Sequence, residues 1–104
     1  MKMQATNYTL TRLTKKAIKF EKDLKEGTVS VSSLDNIREF MLLIEGLFDI
    51  SNKAKEGIDD ILLDCLLASD KFKPDMDDES MSKRIHNIRI DVIGLLREEK
   101  IDIF

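Results

Sequence analysis

Leu34–Ile50 reads LDNIREFMLLIEGLFDI, and its periodicity decides the fold. At about 100° per residue, Leu34, Ile37, Phe40, Met41, Leu43, Ile44, Leu47, Phe48 and Ile50 fill an apolar arc of roughly 200°. Asp35, Arg38, Glu39, Glu45 and Asp49 occupy the opposite side. A surface helix needs an apolar arc of only about 100° or a little more. This stretch therefore has to meet several neighbours at once, as the central column of a helical bundle does.

The flanking segments supply those neighbours. Toward the N-terminus, Leu10, Leu13, Ala17, Phe20 and Leu24 recur at helical spacing and make one narrow stripe. Gly27 is placed to close that helix in the left-handed conformation. TVSVS (28–32) reads as a connector, with Ser32 or Ser33 capping the central helix and Asp35 near its positive end. Three endings suit that helix. Lys53, Lys55 and Gly57 can close it, or it stops near Ile50 and Ser51 caps a new one. The third option is a single kinked helix over 34–71, because near-heptad apolar spacing persists from Phe40 to Phe72.

Toward the C-terminus, Ile58, Ile61, Leu62, Cys65, Leu66 and Ala68 form the core face of a third helix. Leu63 and Leu67 project away from it. DKFKPDMDDES (70–80) is the clearest break. Pro74 cannot continue a helix, and Asp75 is a natural cap, with Asp77, Asp78 and Glu79 in the first turn that follows. Met81, Ile85, Ile88, Val92, Leu95 and Leu96 are the core stripe of the fourth helix, which should fray near Arg97–Lys100. The predicted fold is all-α: an antiparallel four-helix bundle near 8–26, 33–52, 56–71 and 76–98. Three helices with one long kinked member is the alternative. The whole of 1–104 forms a single domain, with 1–6 and 101–104 as loose ends.

Composition agrees. One proline and four glycines in 104 residues leave long helices and short connections. The net charge of −3 argues against an electrostatic nucleic-acid binder. Charge is unevenly spread: residues 1–25 carry +5 and the remainder −8. Cys65 is the only cysteine, so no intrachain disulfide forms, which suits a reducing, cytoplasmic setting. MKMQATNYTLTRLTKK has no apolar signal segment, and FMLLIEGLFDI, interrupted by Glu45, is too short to span a membrane.

Motifs for catalysis are weak. An EF-hand calcium loop counted from Asp75 would need glycine at Ser80 and glutamate at His86. An all-α nucleotide pyrophosphatase pairs an ExxE helix with an ExxD helix. Glu56 and Asp59 supply the second half, and the loose Asp23–Glu26 spacing is the only substitute for the first. Asp60 and Asp64 share a helix face, as acids three or four apart often do. His86 lacks a partner, and Cys65 lies on an apolar face. A helix-turn-helix reader would place the acidic first turn of the fourth helix against phosphates. No enzyme activity, cofactor or metal is expected.

Surplus apolar residues point elsewhere. Leu63 and Leu67 on the third helix, Ile90 and Ile93 on the fourth and Leu42 on the second all lie outside the core stripes. A contiguous patch of that kind marks an interaction surface. The expected partner-binding face is Leu63, Leu67, Ile90 and Ile93, rimmed by Asp60, Asp64, Asp70, His86 and Arg97. The expected function is a non-enzymatic protein-binding module. Its size and acidity suit the small helical proteins that bacteria use to neutralise toxins or nucleases, such as immunity proteins, antitoxins and phage-borne inhibitors. That analogy is one of class and carries no site. A structural or regulatory homodimer is the alternative, and a metal-dependent hydrolase the third reading.

Overall fold

The computed structural model describes residues 7–71 and 79–102. They form four helices: α1 (Asn7–Glu26), α2 (Val31–Leu47), α3 (Asn52–Lys71) and α4 (Glu79–Glu98), with no strand among the described residues. The expected Pro74 break, the Asp75 cap, Asp77 and Asp78, the loose start and the last two residues lie outside the described residues.

The bundle is antiparallel, as the long-range pairs require. Lys16 pairs with Glu39, and Ser33 bonds Asp23, so α1 and α2 run in opposite directions. Lys53 meets Glu98 at 4.0 Å, and the Ser51 amide donates to Glu99 Oε1 at 2.6 Å, so α3 and α4 do the same. α2 packs against α1, α3 and α4, the central place its wide apolar arc demands. Leu34, Ile37, Phe40, Met41 and Ile44 are at most 1% exposed. Phe20 of α1 and Phe40 of α2 meet as tilted rings with centroids 5.6 Å apart. None of the four helices is long and apolar enough, over its described residues, to cross a membrane.

The termini of α2 differ from expectation. Its cap is Ser30, whose Oγ accepts from the Ser33 amide at 3.0 Å. Ser33 is itself drawn inward, donating its hydroxyl to Asp23 Oδ2 at 2.9 Å. A buried acid on α1 thus starts α2 two residues early. The helix ends at Leu47, and Phe48 turns the chain into extended backbone (φ −115°, ψ 147°). The single helix over 34–71 is therefore excluded. Ser51 caps α3, accepting from the Ala54 amide at 3.1 Å, which is the second of the three endings read above. Gly57 closes nothing. It sits inside α3, where an added Cβ would lie 3.2 Å from Leu95 Cδ1 of α4.

Two helices end in the same hydrogen-bond pattern with different residues. Gly27 closes α1 at φ +65°, and the Thr28 amide bonds the Asp23 carbonyl at 3.0 Å. Lys100 closes α4 at φ 57°, with the Ile101 amide on the Leu96 carbonyl at 2.9 Å. Instead of fraying, α4 stops in a firm turn that folds Ile101 into the core at 8% exposure. Left-handed backbone costs an L-residue roughly 1 kcal/mol that glycine avoids. Gly27→Ala should therefore lower stability by about 1 kcal/mol, and Lys100→Gly should raise it by up to about that much. Urea unfolding followed by circular dichroism reads both. Equal effects of one sign would contradict the assignment.

Candidate functional site

α3 is apolar on two opposite sides. Its inner side carries Ala54, Ile58, Ile61, Cys65 and Ala68, all buried. At about 100° per residue, Leu63, Leu66 and Leu67 project roughly 120–180° away from that inner side. They stand in solvent at 53%, 46% and 42% exposure. Leu66, expected in the core, thus belongs with Leu63 and Leu67. The reason is angular: Leu62 already fills the edge of the core, and Leu66 falls beyond it.

Carboxylates surround these leucines. From Glu56 to Asp70 the helix carries Glu56, Asp59, Asp60, Asp64 and Asp70 and no base. Glu56, Asp59, Asp60 and Asp70 are exposed, and Asp64 is half-buried. None of the five makes an ion pair among the described residues. Three of the six bases of α1 behave differently: Lys16 holds Glu39, Lys19 lies 3.2 Å from Asp23, and Lys25 lies 2.9 Å from Glu21. Lys16 with its neighbours Arg12 and Arg38 also holds the Glu39 carboxyl below the usual range, against the opposing effect of burial.

The four residues expected on α4 fall in three places. Ile90 is 50% exposed and borders a groove of about 500 Å³ between α3 and α4. Gly57, Gly94 and Ala54 keep that groove open, and Asp60, Asp91, Glu98 and Lys53 edge it. Ile93 packs half-buried against the core. It lines, with Arg97, a second groove of about 470 Å³ between α1 and α4. His86 is exposed on α4. The expected patch of Leu63, Leu67, Ile90 and Ile93 is therefore not one surface. Ile90 borders the groove toward α3 and Ile93 the groove toward α1.

Reasoning from the chain order missed a buried polar cluster. Asp23, Ser33, Asn36 and Arg89 are 5%, 1%, 3% and 3% exposed. Asp23 accepts from Ser33 and Lys19, and Asn36 Nδ2 donates to the Lys16 carbonyl at 3.0 Å. Arg89 Nη2 donates to the Thr28 carbonyl, while its Nε has no partner. Burial pulls the guanidinium's pKa down, and the Asp23 carboxylate opposes that pull. A signal was present. Arg89 lies four residues after Ile85 and three before Val92, inside the core stripe. Since Asp23 is committed to this cluster, it is not free to complete a metal half-site with Glu56 and Asp59. Among the described residues, no group of three or more His, Cys, Asp or Glu is placed to hold a metal ion.

Cys65 is 0% exposed between α3 and its neighbours. Burial pushes its thiol pKa from 9.0 up to about 12; Arg38 opposes the shift, and Asp64 and Asp35 add to it. The thiol should resist a disulfide reagent at pH 8 until urea unfolds the chain. A folded pKa above the unfolded one gives stability that is complete below pH 9 and lost as pH rises toward 12. Wild type should thus lose about 1.4 kcal/mol per pH unit more than Cys65→Val in that window. Parallel pH profiles for the two would refute the burial.

No protein-family model matches the chain, and no curated protein and no solved structure matches it significantly.

Proposed function

We propose that the chain is a non-enzymatic protein-binding module whose contact surface is the outward face of α3. The observation that carries this is the set of Leu63, Leu66 and Leu67 at 42–53% exposure on a helix whose inner side is already filled. A helix that packs on one side normally keeps its other side polar. Completing the burial of each half-exposed leucine contributes about 1 kcal/mol, so the three supply a real drive to associate. The surrounding acids act as a polar rim that selects the partner more than it tightens the contact.

The immunity, antitoxin and inhibitor classes rest on size and acidity alone. No catalytic step is assigned, because Cys65 is sealed, His86 stands on an exposed face and Asp23 is buried in a structural cluster.

The test is Leu63→Ser with Leu66→Ser and Leu67→Ser. The triple variant should fold with an unchanged melting temperature and fail to retain a partner that the wild-type chain holds in an extract of its own host. Magnesium-dependent nucleotide hydrolysis by the purified chain, abolished by Glu56→Gln, would instead select the hydrolase reading. Loss of folding in the triple variant would return the leucines to the core.

A further inference from the structure

We infer that the outward face of α3 docks a cationic amphipathic helix of a protein partner, one that presents apolar side chains between lysines or arginines. The inference rests on the binding-module reading above and names the chemistry of the partner.

Charge carries it. Along 56–70 the helix bears five acids and no base, and Glu56 and Asp60, like Asp60 and Asp64, stand four residues apart on one side. Like charges at that spacing weaken a helix. An ordinary solvated face offsets them with bases, as α1 does when Lys25 meets Glu21. On α3, Lys53 and Lys55 precede this stretch, Lys53 is turned to Glu98, and none of the five acids makes an ion pair among the described residues. A cationic surface laid over the face supplies the missing counter-charges, while its apolar side chains cover Leu63, Leu66 and Leu67. The α3–α4 groove beside Asp60, kept open by Gly57 and Gly94, gives such a side chain a recess.

A second copy of this chain is the poorer occupant. Its basic surface is α1, where Lys16, Lys19 and Lys25 are already engaged and Arg12, Lys15 and Lys22 are exposed, so the geometry of the contact decides. Because α1 and α3 are separate helices that each pack on α2, joining the two faces between copies is a head-to-tail contact. Contacts of that kind close only by forming rings, and otherwise run on into filaments.

The experiment uses the full chain and two synthetic helical peptides of one pattern, a leucine–lysine peptide and a leucine–glutamate control. Binding is read by calorimetry and by amide shifts in nuclear magnetic resonance. The lysine peptide should bind with its largest shifts over 56–70, and the control should not. Affinity should fall about tenfold or more between low and physiological salt, since exposed charges are screened over about 10 Å. Asp59→Asn with Asp60→Asn and Asp64→Asn should lose that salt dependence, and Leu63→Ser with Leu67→Ser should weaken binding about tenfold. Circular dichroism melts confirm that both variants fold. Equal binding of the control, shifts centred on another helix, or binding by neither peptide overturns the inference. So does concentration-dependent self-association that the leucine variant abolishes. Binding of the control or of a second copy leaves the module reading standing. That reading fails separately, if the host extract yields no leucine-dependent partner.

Discussion

Phe40→Ala is expected to lower the unfolding free energy by about 3–5 kcal/mol, the range for emptying a buried aromatic site. Phe40 is 0% exposed and lies in the middle of α2, the helix that touches all the others. Its ring packs on Phe20 of α1. Truncation therefore loses burial, an aromatic contact and packing density at the one place where the bundle cannot close from a single side. Small domains are stable by only about 5–15 kcal/mol, so the variant should unfold at much lower urea. Phe48→Ala is the contrast. Phe48 is half-buried, past the end of α2, and should cost distinctly less. Urea denaturation at 25 °C reads both. A loss at Phe40 no larger than at Phe48 would show that α2 is not the centre of the bundle.

Asp23→Leu is expected to cost about 3 kcal/mol, because it leaves buried polar groups behind. Ser33 Oγ loses its acceptor, and the Arg89 cation keeps only the Thr28 carbonyl. Arg89→Met should cost much less, about 1 kcal/mol. It removes the desolvated charge together with its one bond, and methionine refills most of the volume. The pair should then couple: Asp23→Leu with Arg89→Met should fall short of the summed losses by at least about 1 kcal/mol. Additivity within about 0.5 kcal/mol would show that the carboxylate and the guanidinium act independently. This cluster joins α1, the α1–α2 turn, α2 and α4, so it is where the first and last helices are tied together.

The leucine face and the polar cluster were not equally readable. The second apolar side of α3 showed in the chain itself, because Leu63 and Leu67 fall outside the stripe of Ile58, Ile61 and Cys65. Leu66 was misplaced because a helical projection gives angles and no edges. How far round a helix the core extends depends on how closely its neighbours approach. Ile90 and Ile93 were grouped for the same reason, since residues three apart on one helix look adjacent until the helices on either side are placed.

By itself the sequence determined the all-α class, the central role of Leu34–Ile50 and the left-handed Gly27, while leaving 34–71 open as one kinked helix or two. Each follows from local backbone preference and from the period of the apolar residues, which need no partner to be read. Only the tertiary structure decided that Ser30 and Ser51 are the caps, that α2 stops at Leu47 and that Arg89 is buried. Asp23 reaches Ser33 ten residues away, Glu99 reaches the Ser51 amide from the end of α4, and Arg89 reaches Thr28 across the bundle. Those bonds join residues that only packing brings together, and packing also decides which leucines of α3 are left in water.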